Sequence, residues 1–254
     1  MKNMSSRGFG WIPDLPDQRD KMFAAIAPPA KPLPPKIDLT KNCPAVYDQG
    51  SLGSCTANAL GGAFEFEQMK QQKEFFIPSR LFIYYNERVI ERSVESDSGA
   101  MLRDGIKTIA KQGVCDEKIW PYIIKKFATK PPAKCYEKAL DNQALKYMRL
   151  THDLQEMQRC LSDGYPFVFG FTVYESFMQD KVAVNGHVPL PKRNERVIGG
   201  HAVMAVGYND DKKWFILRNS WGESWGMQGY FTMPYSYVTD PSLTDDFWTI
   251  RLVE

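Results

Sequence analysis

From Gly199 to Gly222 the chain reads GGHAVMAVGYNDDKKWFILRNSWG, two apolar runs on either side of Asn209-Asp210-Asp211-Lys212. Asparagine and aspartate favour turns, and the flanking β-branched and aromatic residues favour strands, so a β-hairpin is expected. A hairpin centred near residue 210 sets His201 and Asn219 at equal distances from the turn, at its open end. Cross-strand neighbours in an antiparallel pair lie roughly 5 Å apart. The asparagine oxygen can then accept from one ring N–H of the histidine. That fixes the tautomer and leaves the other nitrogen as a base.

The rest of the chain divides around this hairpin. Cys55–Gln72 lacks proline and repeats Ala57, Leu60, Ala63 and Phe64 at three- and four-residue steps, a helical spacing. A second helix is expected over RLFIYYNERVIER, with Pro78 in its first turn. A third is expected over Ala100–Gln112, stopped by Gly113, and a fourth over 152–162, ending at Gly164. Beyond Gly164 the segments YPFVFGFTVY, VIGGHAVMAVGY, KKWFILRNSW and FWTIRLVE read as strands. A helical first half (about 50–150) and a sheet-like second half (about 151–254) predict an α+β fold of two packed halves with a cleft between them.

Residues 1–36 differ from the remainder. They hold 7 of the 17 prolines, including APPAKPLPP at 27–35, and read as a leader with an extended, proline-rich strap. Within it Phe9, Trp11, Ile12 and Leu15 require burial. They lie either on the back of the domain or in a groove, and the second arrangement would make residues 8–20 an inhibitor of whatever the groove does. The remaining domain would then span 37–254.

The net charge of +2 gives no argument for nucleic acid or an anionic membrane as partner. The longest apolar run, Tyr165–Tyr174, is broken by Pro166, Gly170 and Thr172, too short for a bilayer span. The N-terminal residues lack the apolar core of a signal peptide. The cysteines Cys43, Cys55, Cys115, Cys135 and Cys160 form no CxxC, so a structural metal site is not expected. Their odd number leaves at least one thiol free. Cys115 with Cys135 is a plausible loop-closing pair, and Cys55 is the candidate free thiol.

Cys55, in QGSLGSCTANAL, stands where a helix should begin. Alone it reads as an ordinary buried thiol. At a helix N-terminus and presented to the free nitrogen of His201, it becomes an activated nucleophile. His152 reads as a capping or structural residue and His187 as a loop residue. Only His201 has a carboxamide opposite it by spacing.

QGSLGSC, GGHAVMAVGY and WFILRNSWGESWGMQGY together resemble the three signature blocks of papain-like cysteine peptidases, over residues 36–254. His201 follows Cys55 by 146 residues and Asn219 by 164. The resemblance implies a papain-like two-lobed fold and a thiol peptidase. Cys55 would be the nucleophile, His201 the acid and base, and Asn219 its orienting partner. Gln49 and the Cys55 N–H would form the oxyanion hole. Ser98-Gly99 and Gly200 would meet substrate backbone, Trp221 would shield the His201–Asn219 bond, and Trp225 would be structural. Leu52 and Thr56 depart from the family, which usually has a disulfide cysteine and an aromatic residue there. The resemblance implies an extended peptide or protein substrate, no cofactor, no nucleic acid or membrane partner, and a monomer. The apolar leader on its proline-rich strap, in place of the long inhibitory propeptide common in the family, suggests a zymogen covered by its own N-terminal segment. Family members are commonly secreted, lysosomal or vacuolar. A silent peptide-binding protein on this fold, or a transpeptidase or ligase using the same site, is the alternative. Transglutaminases and cell-wall peptidases share the order Cys then His, but neither the Gln49 spacing nor the NSWGxxWG block.

Overall fold

The computed structural model describes residues 7–25 and 32–254, without the side chain of Ala25. The elements in chain order are β1 (Lys36–Asp38), α1 (Cys55–Lys70), α2 (Arg80–Glu91), α3 (Leu102–Lys111), α4 (Ala133–Ala139), β2 (Ala144–Arg149), α5 (Leu154–Ser162), β3 (Phe167–Tyr174), α6 (Asp180–Asn185), β4 (Val197–Asn209), β5 (Trp214–Arg218), β6 (Tyr230–Pro234), α7 (Tyr235–Val238) and β7 (Thr244–Val253). The strands form one antiparallel sheet in the order β2-β7-β3-β4-β5-β6, with β1 added to the far end of β4.

α1 is buried from Cys55 through Gln68, as a helix must be when it has other elements on all sides. It packs against β4 and β7 and against α2 and α3. Small residues make this possible: an added Cβ on Gly62 would run into the Arg218 guanidinium, which reaches across from β5. α2 begins at Arg80, as expected, but Pro78 lies before the cap and not in the first turn: Ser79 is the cap, and its side chain accepts from the Phe82 N–H. α3 ends as expected, with Gly113 in the left-handed region at φ 75. The strands β2 and β6 were not anticipated, because their alternation is too short to stand out from the surrounding sequence.

Two apolar clusters form the core. One gathers Cys55, Leu60, Phe64, Leu102 and Ile106 on the helical side. The other gathers Phe169, Phe171, Phe177, Trp221 and Trp225 on the sheet side. The leader crosses between them. Trp11 is buried in the first cluster and Phe9 packs on the second. Ile12 is half-buried, but Leu15 is 69% exposed, contrary to the expectation that all four apolar leader residues find cover. Of the proline strap, residues 27–31 lie outside the described residues. Further on, the Pro34 carbonyl accepts from Tyr208 Oη.

The hairpin forms, with a different centre. Asn209 pairs with Trp214, so the turn is centred between Asp211 and Lys212, and a register shift between Ala205 and Gly207 displaces the ladder again. The turn runs through Lys213 at φ 56, and the Asn209 side chain accepts from the Lys212 N–H. His201 is therefore not the ladder partner of Asn219. On the sheet it pairs with Phe171 of β3.

Candidate active site

His201 and Asn219 still meet. The chain leaves the ladder after Arg218, and the Asn219 N–H bonds the Gly229 carbonyl. This brings Asn219 Oδ1 to 2.8 Å from His201 Nε2. The same oxygen accepts from the Ser220 N–H at 2.9 Å, which fixes the amide orientation. Nε2 therefore carries the proton and Nδ1 keeps the lone pair. Among the described residues the buried Nδ1 has no hydrogen-bond partner. Trp221 covers this pair with its ring 5.0 Å from the imidazole, fully buried. Trp225 supports Trp221 from behind at 5.2 Å.

Cys55 is the first residue of α1, where backbone N–H groups point outward and the helix dipole favours an anion. Burial nevertheless pushes its thiol up to about 12, against backbone N–H groups of Ala202, Gly10 and Thr56; buried Glu87 adds to the rise. Burial likewise draws His201 down to about 4, against the bond from Asn219. Both effects favour the neutral thiol and neutral imidazole. A thiolate–imidazolium pair needs the dielectric and the donors that an open cleft would restore.

The burial has an identifiable cause. Gly10 and Trp11 both donate to the Gly200 carbonyl at 3.0 Å, the Ala100 N–H donates to Gly10, and Ile12 donates to Ala100. This is a parallel bridge between leader and loop. The Gln49 amide is turned by Ser220, whose Oγ donates to Gln49 Oε1 at 2.6 Å. Its Nε2 then donates to the Gly8 carbonyl at 3.1 Å and to Leu52 O at 2.9 Å. Phe9 sets its ring 6.0 Å from His201 and 5.9 Å from Trp221, edge to face with both. Two glycines allow this approach: a Cβ on Gly8 would overlap the Leu52 carbonyl, and one on Gly10 the Gly53 carbonyl.

Further along, the leader is tied down by charge. Trp11 Nε1 and the Asp14 N–H both donate to Asp246 Oδ2, at 3.0 and 2.8 Å. Asp14 accepts from Trp248 Nε1 and the Arg103 N–H. Asp20 pairs with Arg103 at 2.6 Å and Arg149 at 3.3 Å. At the other end Arg7 pairs with Asp48 and donates to the Trp221 carbonyl.

The structure thus brings Gln49, Cys55, Gly200, His201, Asn219 and Trp221 to one place. Ser98 does not join them: it is exposed, and among the described residues its hydroxyl bonds the neighbouring Gly99 carbonyl. Gly99, at φ 80, clears space for Gly10, but the backbone groups that meet the leader belong to Ala100. Sequence reasoning missed Ser220, although it lies inside the NSW triplet. It also missed Asp97, which takes the Gly53 N–H and ties the loop before Cys55 to the loop before α3. Thr56, at the position usually aromatic, donates to Glu87 Oε2 beneath the helix. Among the described residues all five cysteines are thiols, with Cys115 and Cys135 in hydrogen-bond contact. His152 bonds the Thr244 carbonyl and His187 stacks on Trp214, both away from this site.

A helix headed by a buried cysteine between a helical and a sheet lobe is the layout of a cysteine peptidase. The papain family cysteine protease model matches residues 33–242, and the chain belongs to that family. It is 47% identical over 273 residues to an uncharacterized peptidase C1-like protein of Acanthamoeba polyphaga mimivirus, covering 98% of this chain and 88% of that one. The crystal structure of xylellain, a cysteine protease from Xylella fastidiosa, superposes with a TM-score of 0.91 at 45% identity, covering 100% of this chain and 99% of the other. Pro-cathepsin H of Bos taurus is 28% identical over 213 residues, covering 79% of this chain and 59% of its own length.

Proposed function

We propose that this peptidase hydrolyses peptide bonds through an acyl-enzyme on Cys55, and that residues 7–12 hold the cleft closed until they are displaced. The observation that carries the reading is the His201 Nε2–Asn219 Oδ1 bond, which leaves a basic Nδ1 unpartnered in the cleft that Cys55 heads. With water admitted, the Cys55 proton passes to Nδ1. The thiolate attacks the substrate carbonyl carbon, and the oxyanion is received by Gln49 Nε2 and the Cys55 N–H. His201 returns the proton to the departing amine as the C–N bond breaks. Water then attacks the thioester, releasing the acid and restoring the thiol. The substrate would be an extended peptide meeting Gly200 and Ala100 through its backbone. The leader supports this reading by example, since its Gly8 carbonyl already rests on the Gln49 donor.

Reactivity of the thiols tests the proposal. In the full chain Cys55 is expected to resist dilute iodoacetamide at pH 6. In a Gly10→Val chain, whose leader cannot seat, Cys55 is expected to be alkylated ahead of the other four cysteines. Peptide mapping that found Cys55 no more reactive than Cys43 in that variant would overturn the activated-thiol reading. In the same background Gln49→Ala is expected to lower kcat by about 10²–10³ with a smaller change in KM, because the donor acts on charge present only in the transition state. An unchanged kcat would remove Gln49 from the oxyanion role.

A further inference from the structure

Gln49 and Cys55, whose N–H donors would receive the oxyanion, flank the loop 50–54. The loop has no regular structure, and Gly50, at φ 63, and Gly53 give its backbone freedom. Its two ends are held. The Gln49 N–H donates to the Ser220 carbonyl at 2.8 Å, and Ser54 Oγ bonds Tyr122 Oη at 2.6 Å. Among the described residues no disulfide crosses the loop, since all five cysteines are thiols. Its middle is held by charge instead. Among the described residues the Gly53 N–H has one partner, the Asp97 carboxylate, at 3.0 Å from both oxygens. Glycine permits this approach, for a Cβ on residue 53 would meet Asp97 Oδ1 at 3.0 Å. The same carboxylate accepts from Tyr84 Oη at 2.5 Å, and Tyr84 Oη accepts from the Gly99 N–H at 3.2 Å. Gly99 precedes Ala100, whose N–H and carbonyl pair with the leader where substrate backbone would lie. Arg88 is fully buried with its guanidinium 4.0 Å from the Tyr84 ring. It donates to the Val94 and Ser96 carbonyls at 2.7 and 3.0 Å, so the chain leading into Asp97 is held as well.

We propose that Asp97 is a positioning residue of the peptidase: through the Gly53 N–H and the Tyr84 hydroxyl it sets the loop between the two oxyanion donors at a fixed distance from the segment at Ala100. The proposal rests on the peptidase reading of the cleft. Asp97 touches neither thiol nor substrate. It keeps the donors aimed at the oxyanion while the substrate backbone is held at Ala100 and Gly200. Bonds from N–H and O–H donors to a carboxylate are about twice as strong as neutral ones, which suits one side chain to this task. The Ala100 side stays in place without Asp97, because the adjacent Met101 N–H donates to Glu91 Oε1 at 2.7 Å and α3 follows directly. The loop is therefore the side that moves. Losing the clamp leaves substrate binding largely intact and misaligns donors that act on charge present only in the transition state.

In the Gly10→Val chain, Asp97→Ala is expected to lower kcat by about 10–100-fold while KM changes by less than about threefold. Asp97→Asn keeps an oxygen for the Gly53 N–H and should bring kcat back to within about threefold of the parent. Tyr84→Phe keeps the ring against Arg88 and should lose about tenfold in kcat. With Gln49 already replaced by alanine, removing Asp97 should cost several-fold less than it does in the parent, because one of the donors it aims is gone. A residue that served stability alone would lower the melting temperature and leave kcat unaltered below it. That result, a change confined to KM, or an asparagine variant no better than alanine would overturn the proposal. Should the alanine chain not fold, Tyr84→Phe decides, and a kcat equal to the parent's sinks the idea. Amide exchange at Gly53, followed by NMR on the Gly10→Val chain labelled at glycine, gives a reading independent of turnover. Exchange at least about tenfold faster in Asp97→Ala is expected, and unchanged exchange counts against the clamp. A parent chain that cleaves no peptide counts against the peptidase reading instead.

Discussion

Replacing Gly10 with valine in the full-length chain is expected to raise its peptide-hydrolysing activity by about 100-fold. A Cβ at this position would overlap the Gly53 carbonyl, and the opposing atoms are backbone that cannot swing aside. Forcing extra atoms into a packed site costs about 1–3 kcal/mol, and every 1.4 kcal/mol shifts a closed-to-open equilibrium about tenfold. The branched side chain puts this case at the upper end. The Gly10 N–H is also bonded to the Gly200 carbonyl, and its carbonyl to the Ala100 N–H. Unseating one residue therefore releases the backbone pairing on both sides of the cleft. The ties of Arg7, Asp14 and Asp20 lie outside the clash, so the leader should remain tethered while its middle lifts. Initial rates on a quenched fluorescent peptide library, measured before any chain cleavage is detectable by mass, provide the check. Equal rates for the two chains, with valine accommodated, would mean that the leader does not limit access.

The second large effect concerns the thiol. In the Gly10→Val background, Cys55→Ala is expected to reduce kcat by about 10⁴ or more, and His201→Ala by a similar factor. Groups that act as one unit are not additive. The double variant is accordingly expected to be no slower than either single one. This pattern distinguishes nucleophilic catalysis from a peptide-binding protein of the same fold, in which Cys55→Ala would leave affinity and the trace activity unaltered. The fold should survive the change, since alanine keeps the Cβ and the helix start. Thermal unfolding of each variant verifies that. Independent, multiplying losses from the two substitutions would contradict a shared proton transfer between them.

The residues of the site were largely legible because their chemistry is written in short contiguous blocks. Gln49 and Cys55 lie six residues apart, and Asn219, Ser220 and Trp221 are consecutive. The geometry joining the blocks was less so. Symmetry about residue 210 proposed the right pair for the wrong reason. The real turn is displaced toward Lys212, and the strand bulges between Ala205 and Gly207. His201 and Asn219 meet only because the chain abandons the ladder after Arg218. A pleated strand reverses its side-chain facing with each residue, so a one-residue bulge is invisible to spacing but decides which side chains face each other. Ser220 went unnoticed because a serine in a turn carries no local mark of its partner. Its hydroxyl matters only once Gln49, 171 residues away, is brought beside it.

The leader divides in the same way. Its aromatic residues, prolines and lack of helical spacing announced a segment that must borrow a surface to bury itself. Which surface it borrows depends on Gly53, Gly99, Gly170 and Gly200, four residues without side chains to advertise a partner. An absent Cβ is a signal only when something else fills the space. By itself the sequence determined the class of chemistry, the helical and sheet-forming halves and the presence of a tail seeking cover, because these follow from residue type and local period. Tertiary structure alone decided that the tail lies over Cys55, that Asp246 receives Trp11, and that burial disfavours the charged forms of Cys55 and His201. Those outcomes depend on distances between segments far apart in the chain and on the exclusion of water where they meet.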